Sequence, residues 1–149
     1  MQLGIGMATR WMSGWGLKFF DYDNDGNLDL ILANGFPDDL VEEFSNLVKY
    51  REPLLLFHNT GSGFANVSAQ GGPAFSKPFS ARGLAIGDFN NDGAVDVLVA
   101  VNDGAPVLLR NTIGTSTIGW ESSWLERSRI RMPWVLESLT KLAILREAE

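Results

Sequence analysis

The feature that most constrains this chain is an internal repeat, found twice with its second copy 67 residues after the first. In each copy a short apolar run leads into an acidic nonapeptide, and a second apolar run follows. The nonapeptides are DYDNDGNLD over 21–29 and DFNNDGAVD over 88–96. A third element also recurs, as LFHN ending at Asn59 and LLRN ending at Asn111. A repeat of this kind is typical of a fold built from two similar units.

The apolar runs predict β-strands. They are four to seven residues long and rich in Leu, Ile, Val and Phe, which makes them too short for helices and typical of buried strands. Strands are expected at 15–20, 28–34, 53–59, 63–68, 81–87, 95–101 and 106–111. The intervening Asn59–Gly63 is typical of a hairpin connection, because Asn and Gly supply the positive φ angles that such turns need. The predicted fold class is therefore all-β.

One helix is predicted inside the first unit, over about 39–50. Asp39 is placed to cap it, and apolar residues at helical spacing form one stripe along it. The segment lies in a loop that the second unit lacks. Residues 69–77 contain Gly and Pro and are expected to form a loop between the two units.

The acidic nonapeptides follow the pattern Asp-x-Asp/Asn-x-Asp-Gly-x-x-Asp. Ca²⁺ takes six to eight oxygen ligands, and side chains at positions 1, 3 and 5 of a tightly curled loop can converge on one ion. Gly at position 6 permits the sharp turn, the carbonyl of position 7 turns inward, and the carboxylate of position 9 completes the shell. The predicted calcium ligands are Asp21, Asp23, Asp25, the Asn27 carbonyl and Asp29 in the first loop, and Asp88, Asn90, Asp92, the Ala94 carbonyl and Asp96 in the second.

Two other interpretations of these loops were weighed. An EF-hand needs a Glu at position 12 and flanking helices, but Leu32 and Val99 occupy position 12 and the flanks are strand-like, so this interpretation fails. The other is an acidic β-turn that binds no ligand. The first loop has four carboxylates and the second three, because Asn90 replaces Asp at position 3. Since ligand charge tunes affinity, tighter calcium binding is expected at the first loop.

The repeat resembles the FG-GAP/VCBS repeats of the integrin-α-like β-propeller, in particular bacterial relatives of cartilage acidic protein. The segment 83–111 follows that pattern closely, and 16–68 follows it with an inserted helix. The resemblance implies structural calcium in the loops, an extracellular interaction role with a protein or glycan partner, and no catalysis. It also implies a secreted or cell-envelope location, although the first 20 residues hold no uninterrupted apolar segment of the signal-peptide kind.

A closed propeller has about four to eight blades, so two units cannot close a ring. The chain is therefore expected to be a partial propeller that needs further blades or assembly. Two alternatives remain open: a scaffold portion of a carbohydrate-active enzyme, for which Trp11 and Trp15 would be an exposed stacking pair, and a truncated product without independent function.

Composition excludes several classes and divides the chain near Asn111. The net charge is −6 and no basic run is present, which argues against nucleic-acid binding, and no apolar stretch approaches the roughly 20 residues of a membrane span. With one His and no Cys, catalytic triads and His-rich metal sites are close to excluded; His58 itself is interpreted as a packed or strand-edge residue. Seven of the ten Asp lie in the two loops, so two bound Ca²⁺ would bring the net charge to about −2.

The two predicted domains are 1–111, with units at about 14–68 and 81–111, and an atypical tail at 112–149. The tail contains no Asp or Phe and its charges balance. It is expected to be helical or disordered, with a weakly helical stretch at 134–147. In the family, the propeller is often followed by an ASPIC/UnbV segment, and a one-nucleotide shift of the tail's coding frame permits a sequence of that kind. We therefore hypothesise that the tail is out-of-frame translation; an amphipathic C-terminal helix is the alternative.

Overall fold

The structure, a computed structural model, describes residues 4–112 and the backbone of 120–124. Those residues form mostly β-structure, with two four-stranded sheets and one two-stranded sheet, all antiparallel. The strands are β1 (Gly14–Phe20), β2 (Asp29–Asn34), β3 (Glu52–Pro53), β4 (Leu55–Asn59), β5 (Phe64–Asn66), β6 (Pro78–Phe79), β7 (Ala81–Gly87), β8 (Asp96–Val101), β9 (Val107–Asn111) and β10 (Trp120–Trp124). The predicted all-β fold class is confirmed.

The two large sheets are structural copies of each other. The first has the order β1-β2-β4-β5 and the second β7-β8-β9-β10, and we call them the first and second blade. Phe20 pairs with Asp29 in one and Gly87 with Asp96 in the other, so each acidic loop closes a hairpin of the same register. Even the register shift at Gly14/Gly16 recurs at Ala81/Gly83. Four antiparallel strands per unit is the arrangement of a propeller blade.

Strand β10 supplies the fourth strand of the second blade. Trp120 pairs with Asn111 and Trp124 with Val107, which places β10 along the open edge of β9. This differs from the expectation of a helical or disordered tail, because the exposed backbone groups of a strand edge accept any extended segment that can pair with them. The predicted helix at 134–147 lies outside the described residues, and the out-of-frame origin of the tail stays a hypothesis.

The main core lies between the two blades. Side chains from β2 and β4 on one side and from β8 and β9 on the other pack together, and the segment 74–79 covers one margin. The buried members are Phe20, Tyr22, Ile31, Ala33, Leu54, Leu56, Ala74, Phe75, Phe79, Ala81, Val97, Val99, Val107 and Leu109. Alternate residues of each strand reach this core because side chains point to opposite faces in turn. The loops that close the two hairpins therefore project from one packed unit.

The opposite face of the first blade carries a smaller cluster of Leu30, Leu32, Leu55 and Phe57. A short helix, α1 (Ile5–Thr9), lies over part of this face and contributes apolar side chains to it. Sequence analysis did not predict α1, which at five residues is too short for a periodic apolar pattern. Leu17 and Phe19 on β1 remain about half exposed beside the cluster.

The inserted helix is shorter than predicted. Only α2 (Val41–Phe44) is helical, and Ser45 is already extended. Of the expected stripe only Val41 is buried, while Phe44 is 80% and Leu47 75% exposed, and one buried residue gives too little packing to sustain a longer helix. The predicted Asp39 cap is also wrong, since Asp38 accepts the hydrogen bond from the Leu40 N–H instead.

The hairpin and the inter-unit segment complete the connections. The turn after Asn59 closes through a Thr60 N–H bond to the Gly63 carbonyl, with Gly61 at φ +76°, as predicted. The predicted loop at 69–77 contains two 3₁₀ helices, Ser68–Gln70 and Pro73–Ser76, and the second contributes Ala74 and Phe75 to the core.

Candidate metal centre

Both acidic loops have the same backbone conformation. Position 4 has a positive φ in each, at +59° for Asn24 and +62° for Asn91. Position 6 follows with +87° at Gly26 and +85° at Gly93. Asn tolerates the left-handed region better than most residues and Gly adopts it without steric cost, so the sequence at these positions directs the chain into one tight curl. The repeat in the sequence is therefore a repeat in three dimensions.

The carboxylate at position 1 closes each curl. Asp21 accepts hydrogen bonds from the N–H groups of Asp25 and Gly26, at 3.0 and 2.8 Å. Asp88 accepts the equivalent bonds from Asp92 and Gly93, at 3.1 and 2.9 Å. Each carboxylate oxygen has lone pairs beyond the one that accepts an N–H, so these bonds orient the group without removing it as a ligand.

The carboxylate at position 9 is buried and connects each loop to the third strand of its blade, β4 in the first and β9 in the second. Asp29 is fully buried and accepts bonds from Tyr22 N–H at 3.2 Å and Asn59 N–H at 2.7 Å. Asp96 is equally buried and accepts from the Phe89 and Asn111 N–H groups at 2.9 and 2.7 Å. Each position-9 carboxylate thus joins residue 2 of its own loop to the end of β4 or β9.

A family model for the FG-GAP-like repeat matches residues 21–99, from the first loop through β8. This chain belongs to the FG-GAP-like repeat family. Among curated proteins, none matches the chain. The match contains both acidic nonapeptides and the inserted connection between them.

In the first loop of this FG-GAP-like protein, predicted ligands converge. One carboxylate oxygen each from Asp21, Asp23 and Asp25 lie within 4.8 Å of one another. Burial, and then the charges of Asp29 and Asp25, raise the pKa of Asp23. Asp23 Oδ1 is itself buried and has no hydrogen-bond partner. A buried, unpaired carboxylate oxygen is costly, and a cation is the partner that removes that cost. The donor set therefore fits a hard divalent ion.

Asp25 and Asn27, the other predicted contributors, interact with each other. Asp25 accepts bonds from the Asn27 N–H at 2.7 Å and from its side-chain amide at 3.0 Å, and these bonds lower the pKa of Asp25. These bonds therefore favour the ionised carboxylate of Asp25, which lies on the exposed side of the loop. The predicted ligand role of the Asn27 carbonyl stays a prediction.

The second loop is organised differently at position 3. The Asn90 amide donates to Asp92 Oδ2 at 2.6 Å, and its oxygen accepts from the Asp92 N–H at 3.3 Å. Bonds from the Ala94 N–H and from Asn90 are the main causes of the low pKa of Asp92, and the positive charge of Arg110 adds to them. Burial raises the pKa of Asp96. Among the described residues, the carboxylates of this loop do not form a cluster as close as that of the first loop.

Sequence analysis missed His58 as a neighbour of the first loop. Its Nδ1 lies 3.2 Å from Asp29 Oδ1 and 3.4 Å from Asp23 Oδ2, so His58 is more than a packed or edge residue. Tyr22 packs edge-on against its ring at 6.0 Å. The available signal was the third repeated element, in which His58 directly precedes Asn59; it occupies the place that Arg110 has in the second unit.

The asparagine that recurs in that third element also has a role that spacing alone does not reveal. Asn59 donates its side-chain amide to the Leu28 carbonyl within its own blade, at 3.0 Å. Asn111 instead donates to the Tyr22 carbonyl at 2.7 Å, and so reaches the loop of the other blade. The first loop is therefore held by both blades.

Arg82 and Trp15 form a second polar cluster, near the starts of β1 and β7. The guanidinium lies over Trp15 at 4.8 Å and donates to the Gly35 and Phe36 carbonyls at 3.1 and 2.8 Å. The Trp15 indole donates to the Gly35 carbonyl at 2.6 Å. Trp15 thus covers a strand end, yet half of its surface stays exposed. Separately, no helix in the described part of the chain is long and apolar enough to cross a membrane.

Proposed function

We propose that this FG-GAP-like chain is a calcium-binding β-propeller module that acts in extracellular protein or glycan interaction and catalyses no reaction. The observation that carries the calcium proposal is the first loop. Three carboxylates converge there, one buried oxygen of Asp23 lacks a partner, and a buried Asp29 closes the loop against β4. Oxygen donors of this number and charge are what Ca²⁺ prefers.

The role of the cation is thermodynamic. The native loop brings together carboxylates that the unfolded chain keeps apart, so calcium binds the folded state and stabilises it by mass action. Asp21, Asp23 and Asp25 would supply carboxylate oxygens to the ion. Asp29 would connect the ordered loop to the end of β4 through its hydrogen bond from the Asn59 N–H. At a free calcium concentration about 100 times the dissociation constant, one such site adds about 2.7 kcal/mol to the free energy of unfolding.

The two loops are proposed to differ in affinity, with the first tighter. In the second loop the Asn90 amide already donates to Asp92, so binding there would have to break that bond and reorient the amide. The first loop has a carboxylate at the same position, so its position-3 side chain would not need this reorientation. Titration calorimetry of the Asp23→Asn and Asn90→Asp variants tests this order, since each substitution should shift only its own site.

Further blades are part of the proposal. Leu17 and Phe19 are about half exposed on the outer face of the first blade, opposite the core between the blades. In a propeller such faces are covered by neighbouring blades. We place those blades in a larger secreted or cell-envelope protein or in an assembly of copies, with the ASPIC/UnbV type of cartilage acidic protein relatives as the proposed subgroup.

The decisive experiment for calcium is thermal unfolding of the full chain in calcium and in chelator. We expect a higher Tm with calcium, a smaller gain in Asp21→Asn and in Asp88→Asn, and no gain in the double variant. Asp38→Asn, which changes an exposed Asp outside both loops, is the matched control and should keep the full gain. Equal Tm values for the wild type in calcium and in chelator would refute calcium binding and leave the acidic turn without a ligand.

A glycan partner is favoured by one specific observation, the exposure of two tryptophans near the start of the first blade. Trp11 is 57% and Trp15 49% exposed, and Arg82 and Arg10 each lie over one of the rings. Aromatic faces of this kind stack on sugars. A glycan array probed with the wild type and with Trp11→Ala separates this role from protein binding, and turnover of any polysaccharide would favour the scaffold of a carbohydrate-active enzyme.

A further inference from the structure

The first loop differs from the second in having a nitrogen donor at its side. His58 comes from β4, and its Nδ1 lies 3.2 Å from Asp29 Oδ1 and 3.4 Å from Asp23 Oδ2. These three atoms form a mixed nitrogen and oxygen group within 4.8 Å. First-row divalent ions bind imidazole nitrogen and carboxylate oxygen at about 2.0–2.2 Å, which places adjacent ligand atoms roughly 3.0–3.5 Å apart. The observed separations already have that size.

The nitrogen is buried and has no hydrogen-bond partner. His58 is 28% exposed as a side chain, but its Nδ1 has lost contact with solvent, and neither nearby carboxylate oxygen accepts a hydrogen bond from it. Asp23 Oδ1, the other oxygen of the carboxylate whose Oδ2 faces His58, is also buried without a partner. A buried imidazole nitrogen without a hydrogen bond is costly to leave beside two carboxylates, and one ion bound by all three side chains would satisfy it.

The second loop offers a natural comparison. There Arg110 occupies the position that His58 has in the first unit, and its positive charge acts on Asp92. An arginine cannot be a metal ligand because it stays protonated. The repeat has thus placed a potential ligand beside one loop and a fixed cation beside the other, although the backbone of the two loops is the same.

We propose that the first loop takes a divalent transition ion of the Mn²⁺ or Zn²⁺ class through His58, Asp23 and Asp29, while the second loop has oxygen donors only. This inference rests on the proposed cation-binding function of the first loop and specifies the ion. Imidazole together with carboxylates suits such ions, whereas calcium gains little from nitrogen. His58 then sets metal selectivity between two otherwise similar sites.

The test uses the untagged full chain, in which His58 is the only histidine. Mn²⁺ is added and pulsed electron paramagnetic resonance is used to detect imidazole nitrogen coupled to the ion; calorimetry gives Mn²⁺, Zn²⁺ and Ca²⁺ affinities. We expect a nitrogen coupling in the wild type. His58→Gln, close in size, should abolish the coupling and weaken Mn²⁺ and Zn²⁺ binding on the order of tenfold or more, with a smaller effect on Ca²⁺.

Three further variants test this assignment. Asp88→Asn, in the second loop, should keep the coupling, whereas Asp21→Asn, in the first, should weaken Mn²⁺ binding; His58→Arg, which copies the second unit, provides a second way to remove the nitrogen. Mn²⁺ bound at the first loop without nitrogen coupling, or calcium binding with no Mn²⁺ or Zn²⁺ binding, would overturn this inference and leave the calcium proposal standing. If no cation binds at all, both fall, and His58 is an ion-pair partner of Asp23 and Asp29.

Discussion

The buried carboxylate at position 9 should stabilise the fold even when no cation is present, and Asp29→Ala tests this. Asp29 is fully buried and accepts two backbone N–H groups, from Tyr22 at 3.2 Å and Asn59 at 2.7 Å. Each hydrogen bond to a charged group contributes about 1.5–3 kcal/mol, and the cost of burying the charge offsets part of the sum. We expect Asp29→Ala to lower the free energy of unfolding by about 3 kcal/mol in chelator.

Urea denaturation in EDTA measures this loss. With an m-value of about 2 kcal/mol per molar, a loss of about 3 kcal/mol moves the midpoint down by roughly 1.5 M. The control is Asp25→Ala in the same loop, because Asp25 is exposed and its side-chain hydrogen bonds go to its near neighbour Asn27 and not to another strand. In EDTA its midpoint should match the wild type, whereas both variants should lose most of the gain from calcium. Equal midpoints for the two variants in EDTA would show that the two backbone bonds to Asp29 do not stabilise the fold.

Three further predictions concern the rest of the fold. Gly16→Ala should destabilise by about 1–3 kcal/mol in urea, because its Cβ would lie 2.8 Å from the Leu84 nitrogen, while Gly87→Ala, with open space around it, should not; equal effects would contradict close packing of the blades. Arg82→Lys should lower the Tm measured by circular dichroism, since lysine cannot keep both carbonyl bonds and the stacking on tryptophan; an unchanged Tm would refute this. Burial raises the pKa of Glu52, so the stability that its protonated form contributes is present below the unfolded-state pKa and is lost as the pH rises through the folded-state pKa. Glu52→Gln should therefore show a smaller fall in the urea midpoint between pH 4 and 7 than the wild type, and parallel curves for the two proteins would contradict this.

The sequence determined the parts of this fold that depend on short-range patterns. The apolar runs predicted the long strands to within a residue or two, because alternation and turn residues are local signals. The acidic loops were found for the same reason: Gly26 and Gly93 mark the positions where only a positive φ closes the curl. Calcium ligation by these loops remains a prediction.

What the sequence could not supply depends on contacts between distant segments. The helix predicted at 39–50 failed because amphipathic spacing does not tell whether a surface is available to bury it, and here Phe44 and Leu47 face solvent. His58 was missed because its relation to Asp23 follows from the pairing of β2 with β4, which sequence spacing does not reveal. The 3₁₀ segment over 73–76 likewise becomes ordered only by joining the core between the blades.

The hydrogen bond that the Asn111 side-chain amide donates to the Tyr22 carbonyl would couple cation binding at the first loop to the docking of the two blades. Its donor is at the end of β9 and its acceptor lies inside the first loop, between Asp21 and Asp23. A cation that rigidifies the loop therefore favours the docked blades, and docking favours the cation by the same free energy. Hydrogen exchange of the β9 amides should slow on adding calcium in the wild type and not in Asn111→Ala; an equal response in both would break the link. In a closed ring of such blades, each bound ion would then stabilise the contact between two neighbouring blades as well as its own loop.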